Sequence, residues 1–576
     1  MKINLNSGSI VSFKILIDGT DKTSVFDVKS IVVNHEINRI PYASLILLDG
    51  DSATGNFKLS ASEDFVPGKT VQIKAGYDNI EETIFEGIII KHGIKIRESV
   101  SVLTVECKHE AIKLTVGRKS AYYYDSKDSD IADQLLANKG ISSNLEATSD
   151  THAELVQYQI TDWDFIVTRA QVNGQLCFLE KNEVKIAKPD FSGADTLELK
   201  YGTSIFEFDG EIDSRYALKK ITAASWDGVN QERLENESSP ANKPELGDLT
   251  SATLAETLAL ENYLLEHGGK LTETELQDWS AAKSLLQELA LNRGRVKFAG
   301  NAAVKPGIIL NLDGLGSRFT GDAYVTAVSH EIIAGNWFTN AQYGLDAKWF
   351  SETFDINSQP ASGITAAVNG LQIGVVTQLQ DDPEGEDRIL VKLPIVNNEE
   401  EGIWARIALL DAGDTRGSCF RPEIGDEVIL GFINDDPNDA IILGSLNSSS
   451  KPAPITASDD NHEKGFITRS GNQLLFNDEL NTILVKTPGE RLITINDDSE
   501  EITIDDAGNG KIILNSDGIT ITSSADINIE ATGDLNLSGT NVSIKAQSEF
   551  KAEGASGAEL STSAIAVLKG SLVQIN

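Results

Sequence analysis

The last hundred or so residues constrain the fold more than any other feature of the chain. An apolar-x-apolar unit recurs there: Ile483/Val485, Ile493/Ile495, Ile502/Ile504, Ile512/Leu514, Ile519/Ile521, Ile527/Ile529, Leu535/Leu537 and Val542/Ile544. Successive units start 10, 9, 10, 7, 8, 8 and 7 residues apart. The residue between is mostly polar (Thr494, Thr503, Thr520, Asn528, Asn536, Ser543), as a strand requires when alternate side chains face opposite sides. Phe550 and later apolar positions carry the pattern less cleanly to Ile575.

Two inward apolar residues in a unit of roughly eight are too few for one chain to enclose a core around itself. Three chains about a common axis, each giving one face of a triangular prism, would pair strands between subunits and leave no open edge. Residues 471–576 are therefore expected to form a trimeric β-helix, or β-prism, needle, gaining ~4.8 Å along its axis per strand. A single-chain parallel β-helix or a hairpin array would also repeat, usually with more apolar faces per turn. From residue 470 onward there are 16 Asp and Glu against 6 Lys and Arg, a solvated outer face that discourages lateral sheet association.

Over 576 residues, 49 Lys and Arg face 87 Asp and Glu, a net charge of −38. That balance argues against nucleic acid as a partner, since phosphate binding needs clustered positive charge. Hydrophobic residues at 40% with 24% charged indicate globular structure, and the length suggests roughly four domains. No run approaches the roughly 20 apolar residues that span a bilayer, and MKINLNSGSIV lacks a signal-peptide core. Cys107, Cys177 and Cys419 are far apart, and the seven His include no HxH or HExxH, so neither a disulfide framework nor a zinc motif is expected. Ala334 stands where a zincin helix beginning at His330-Glu331 would need its second His.

Residues 1–118 contain short β-branched runs separated by turns such as Asp18-Gly19, Asp49-Gly50 and Pro67-Gly68, predicting a first β-barrel. A small α/β insert (119–200) carries helices at Ser129–Asn138 and Thr161–Asn173, with Gly140 and Gly174 as stop signals. Strands return over 201–351 around a helical excursion at 250–292, where Thr272 to Glu275 offers a capping box. An internal echo links Pro67-Gly68, Phe85-x-Gly87 and His92 with Pro306-Gly307, Phe319-x-Gly321 and His330, predicting a second copy of the same barrel. A linker (352–370) leads to five short strands over 371–447, the count of an OB-fold, and a Ser/Pro/Ala-rich hinge (448–470) precedes the repeat. The OB-fold's acidic segments 381–387 and 434–439 are the wrong sign for nucleic acid. The fold class is thus mainly β with a small α/β insert: duplicated barrel base, OB-fold neck and needle.

Residues 371–446 resemble the barrel of VgrG-type spike proteins of contractile injection systems, relatives of the phage tail hub with its cell-puncturing needle. The matching residues are Gly374-Val375-Val376, Asp387-Arg388-Ile389-x-Val391-x-x-Pro394, Trp404-x-Arg406, Ala412-Gly413, Gly417, Phe420-x-Pro422-x-x-Gly425-Asp426-Glu427-Val428, Asp436-Pro437 and Gly444-x-Leu446. Lys464 to Asp478 is similar to that family's passage from barrel into needle. The resemblance implies a homotrimer whose duplicated barrels make a pseudo-sixfold collar for a hexameric inner tube protein, with baseplate and hub proteins at the base. It implies a PAAR-type tip protein at the needle end, where Leu572, Val573, Gln574, Ile575 and Asn576 would form the binding face, and transient contact with a target membrane. Members are assembled in the bacterial cytoplasm and released or fired into a target cell; both type VI secretion machines and phage tail-like particles use the design. Some carry an enzyme domain after the needle; the sequence given, ending at Asn576, is expected to have none.

A rival reading is a β-helical tailspike-like adhesin or glycan-degrading enzyme. Glycan cleavage needs two carboxylates about 5–9.5 Å apart flanking the sugar. Asp209/Glu211 and Asp162/Asp164 are such pairs only as any acidic chain has them, and the repeat has Phe but neither Trp nor Tyr to stack on sugar. The expectation is a structural protein without catalytic, metal or cofactor-binding residues.

Overall fold

The computed structural model describes residues 10–98, 100–192, 194 and 196–575. Its contacts divide the chain between Ala367 and Val368 into two units.

In the first unit, strands β1 (Val11–Ile17), β2 (Val28–Glu36), β3 (Tyr42–Leu48), β4 (Thr70–Tyr77), β5 (Ile80–Arg97) and β6 (Val100–Lys108) pair antiparallel in the order β2-β3-β6-β5-β4-β1. Their alternation places Ile15, Ile31, Leu45, Ile73 and Leu103 on one fully buried face around Phe65 and Phe85; burying one such side chain stabilises by about 1.5–3 kcal/mol.

The insert follows as β7 (Lys119–Lys127), α1 (Asp128–Ala137), β8 (Ser142–Leu145), β9 (Thr151–Ile160), α2 (Asp162–Val172), β10 (Leu176–Glu180) and β11 (Glu183–Ala187). Thr161 starts α2, its Oγ1 accepting the Asp164 N–H at 3.1 Å. Leu136, Trp163, Val167, Cys177 and Val184 form the insert's own core. Arg169 Nε and Nη2 donate to the buried Asp128 carboxylate at 2.6 and 2.9 Å, locking α2 onto the start of α1.

The second half contains β12 (Thr196–Lys200), β13 (Ile205–Ile212), β14 (Ile221–Asp227), β15 (Glu232–Ser238), α3 (Ser251–Ala255), β16 (Tyr263–His267), α4 (Glu273–Ala290), β17 (Asn292–Ala299), β18 (Ile309–Asp313), β19 (Gly321–Ile333) and β20 (Asn336–Tyr343). The helical excursion needs correction at Tyr263–His267, a strand parallel to β14. Leu265 there buries with Ile221, Ala223 and Leu276, a tertiary gain that overrides helix propensity. Thr272 and Glu275 form the capping box of α4.

The two halves are duplicates in register and share one sheet through a β19–β2 pair. Gly68 N–H donates to the Ile89 carbonyl at 2.8 Å and Ile89 N–H to the Lys69 carbonyl at 2.9 Å. Gly307, Val325 and Ile308 repeat both bonds at 2.8 and 2.9 Å, and both glycines have positive φ, 101° and 97°, a conformation that penalises a Cβ. The register skips Ile90 in β5 and Thr326 in β19, and again Lys29 in β2 and Phe206 in β13. Through these shared bulges β2, β3, β4, β5 and β6 correspond to β13, β17, β18, β19 and β20. This corrects two parts of the echo: Gly87 corresponds to Ala323 and His92 to Val328, so Phe319-x-Gly321 and His330 lie two residues out of step.

In the second unit β21 (Gln372–Gln378), β22 (Ile389–Lys392), β23 (Ile403–Ile407), β24 (Glu427–Phe432) and β25 (Ala440–Ser445) close a five-stranded barrel. Val376, Ile389, Val391, Ala405, Val428 and Leu430 fill it. Asp382 accepts the backbone N–H groups of Glu384, Glu386 and Arg388 and the Arg388 guanidinium, pinning the acidic β21–β22 loop and holding its own carboxyl well below the usual range. Phe420 stacks on Phe466 with centroids 5.1 Å apart, and Arg469 Nη1 lies 2.6 Å from Glu423, so the segment expected as a hinge is tied to the barrel.

Beyond it, β26 (Glu463–Ile467), β27 (Gln473–Asn477), β28 (Thr482–Lys486), β29 (Leu492–Asn496), β30 (Glu501–Asp505), β31 (Gly510–Asn515) and β32 (Gly518–Ser523) form one antiparallel meander. Pairing within the chain here departs from the expected pairing between subunits. Its cause is turn chemistry: Asn477, Asn496, Asp506 and Asn515 side chains each accept a backbone N–H inside the following reversal, closing hairpins locally.

Candidate functional site: an apolar sheet face and an unpaired chain end

The meander sets its repeat in columns. Ile483 faces Ile495, Val485 faces Ile493, Ile493 faces Ile504, Ile495 faces Ile502, Ile502 faces Leu514 and Ile504 faces Ile512. All these side chains share one sheet face. The other face carries Leu484, Thr494, Thr503 and Ile513 in one cross-strand row, with the two threonines directly opposed. Burial is inverted relative to polarity: Ile483, Val485, Ile493, Ile495, Ile502 and Ile504 are 38–46% exposed, while Thr503 is 8% exposed. A sheet that shelters threonine and exposes isoleucine is unfinished as a single chain, because contiguous exposed apolar surface of this kind marks an interaction site.

From Ser524 to Ile575 no residue belongs to a helix or strand. The units Ile527/Ile529, Leu535/Leu537 and Val542/Ile544 are all more than half exposed. Backbone N–H and C=O groups beside apolar side chains need partners once those side chains are covered, and in-chain strand pairing ends at Ser523. Of the residues expected at the needle end, Leu572, Val573, Gln574 and Ile575 are exposed and lie outside any regular element; Asn576 lies outside the described residues.

The acidic pairs of the rival reading are occupied. Asp162 is buried against Lys119 and Gln157, and Asp164 accepts the Thr161 hydroxyl at 2.7 Å. Asp209 and Glu211 bind Arg295 and Arg293 at 2.6 and 3.0 Å. A 340 Å³ cavity in the first unit is lined by His35, His109 and His330. His35 Nε2 is 2.8 Å from the Ile84 carbonyl, and His330 Nδ1 is 3.0 Å from Thr339 Oγ1. Burial pushes His109 down to about 4 and His330 to about 3, leaving both neutral at pH 7. No cluster that could hold a metal ion is present among the described residues. No helix among them is long and apolar enough to cross a membrane.

The described residues thus comprise a duplicated first half, a five-stranded barrel and a strand-rich repeat with an uncovered apolar face. Residues 7–334 match the family described as the Alg8 N-terminal domain, and residues 372–446 match the type VI secretion system/phage-baseplate injector OB domain. The type VI secretion system spike protein VgrG1b of Pseudomonas aeruginosa is 22% identical over 371 residues, covering 60% of this chain and 49% of that protein. VgrG3, a spike protein of Vibrio cholerae, is 31% identical over 115 residues, 17% of this chain and 11% of its own length. The chain thus spans about half the length of the first of these relatives and far less of the second. A prophage MuSo2 43 kDa tail protein from Shewanella oneidensis covers 58% of this chain and 99% of its own at a TM-score of 0.44 and 11% identity. The chain belongs to the Alg8 N-terminal domain family, and it is similar to spike proteins of the VgrG type.

Proposed function

We propose that the chain acts as the homotrimeric central spike of a contractile injection system. In this reading the first unit is the hub that meets baseplate proteins and a hexameric inner tube. The repeat is a needle that makes transient contact with the target membrane. A PAAR-type tip protein sits on Leu572, Val573, Gln574, Ile575 and Asn576, and the protein works without catalysis, a cofactor or nucleic acid. Assembly takes place in the bacterial cytoplasm, before the particle is released or fired into a target cell.

The observation that carries this reading is the inverted burial of the repeat. Three copies that turn their isoleucine faces inward would cover the exposed columns, and the unpaired chain from Ser524 onward would find its backbone partners in neighbouring copies. The ion-paired state of Asp162, Asp209 and Glu211 supports a structural role over glycan cleavage. Hydrogen exchange on the purified full chain tests the pairing. Amides across 525–575 should be strongly protected; exchange at random-coil rates would overturn the intertwined needle. At the tip, Leu572→Glu should abolish binding of a recombinant PAAR-repeat protein while leaving the oligomer intact, and unchanged binding would remove the tip assignment.

A further inference from the structure

The duplication leaves two strand edges open. In the second half, β19 gives Gly321–Tyr324 to β18 and then Ala327–Ile333 to β2 of the first half. Its counterpart β5 gives Ile80–Ile88 to β4, but Lys91–Arg97, which corresponds to Ala327–Ile333, pairs only with β6 on one side, and its opposite edge has no strand beside it among the described residues. The counterpart of β2 is β13, which ends the sheet and, among the described residues, pairs with no strand but β17.

The geometry points to a second copy of this chain as the partner that joins these edges: β5 of one copy pairs antiparallel with β13 of the next. This rests on the trimer proposed above and adds the junction and its register. In the chain's own junction, His330 opposes Val33 and Ile332 opposes Ile31. Carried through the shared bulges, that register sets Lys91 opposite Asp213, Lys95 opposite Asp209 and Arg97 opposite Glu207. On the other face it sets Ile94 opposite Gly210 and Ile96 opposite Phe208.

Chemistry that played no part in deriving the register agrees with it. Asp209 and Glu207 are exposed acidic groups, already paired with Arg295 and Lys297 on β17. Lys91, Lys95 and Arg97 are exposed basic groups on the complementary edge. The acidic column would lie between two basic ones, while in the in-chain junction Ala327, Ser329, Glu331 and Ile333 oppose Glu36, Asn34, Val32 and Ser30 with no opposite charges. Ile94 and Ile96 are 44% and 59% exposed, whereas their counterparts His330 and Ile332 are buried by the strand beside them. Two β5 edges would set basic groups together and two β13 edges acidic groups, so charge selects the head-to-tail contact that can close a ring.

Directly opposed residues of an antiparallel pair lie close enough for a disulfide. The test is therefore Lys95→Cys with Asp209→Cys in a Cys419→Ser background, oxidised and run on a non-reducing gel, with light scattering on the same sample. The expected result is a covalent trimer as the main product. Either single-cysteine variant, and the displaced pair Lys95→Cys with Glu207→Cys, should give less than a tenth as much. A trimer by light scattering without this cross-link, or equal linking of the displaced pair, overturns the junction while leaving the spike reading intact. A monomer by light scattering overturns both. Hydrogen exchange of the unmodified protein gives a substitution-free check: the amides of 91–97 that point away from β6 should be slowed at least tenfold relative to an open strand edge, and no slowing of those amides contradicts the pairing.

Discussion

His330 contributes to the acid response of the first unit. Burial against Trp337, with a bond to Thr339 and His35 close enough to oppose its charging, lowers its folded value to about 3. The unfolded chain takes up its proton near the ordinary value of about 6.5. Between those two points the unfolded state binds more protons, so stability falls as pH drops through the window and is flat above it. Urea midpoints of the full chain should decline below pH 6.5 with a contribution of about 1.36 kcal/mol per pH unit from this group, and His330→Gln should reduce that slope. Thr272 makes a simpler case, its side chain accepting the Glu275 N–H at 3.0 Å while Glu275 reaches back to the Thr272 N–H at 2.8 Å. Thr272→Ala should cost about 1 kcal/mol in the same denaturation experiment. That cap was legible as a sequence motif. The buried histidines were not, because isolated His residues in strands carry no mark of which will be enclosed.

Among elements, the repeat shows both the reach and the limit of sequence periodicity. Alternation identified the strands and their shared apolar face, since side-chain direction follows directly from the period of two. Pairing partners do not follow from period. Residues 473–523 fold back on themselves because Asn or Asp side chains brace four of their reversals and Thr487-Pro488-Gly489 makes another, a signal present in the sequence but outweighed by the apolar spacing. The later units, spaced 8, 8 and 7, have no strand partner among the described residues. Tyr263–His267 shows the same limit in the other direction, a Leu-containing segment drawn into a strand by the Ile221–Ser225 strand beside it. Ile493 and Ile502 are exposed in one chain, so Ile493→Asp or Ile502→Asp should leave the hub's urea midpoint unchanged. Placing either carboxylate inside a covered apolar face costs several kcal/mol, and the trimer fraction should fall at least tenfold by sedimentation. An unchanged trimer would show that this face points outward.

For the whole molecule, the mainly β fold class was legible, because each segment has its own period: short strands, an amphipathic insert, five strands of a small barrel, a repeat. The exact correspondence of the halves was not, since it lies in bulges and hydrogen-bond register and the matching residue types drifted by two positions. The net charge of −38 also changes meaning at this scale: the exposed basic edge at Lys91–Arg97 becomes a rare positive feature able to select an acidic edge of another copy. In the proposed function the chain is unfinished alone and complete in threes. Size-exclusion chromatography with multi-angle light scattering on the full chain tests this most directly. With a chain mass of 62.2 kDa, the expected result is a single species of three chain masses, stable to dilution; a stable species of one chain mass would contradict the proposed trimer.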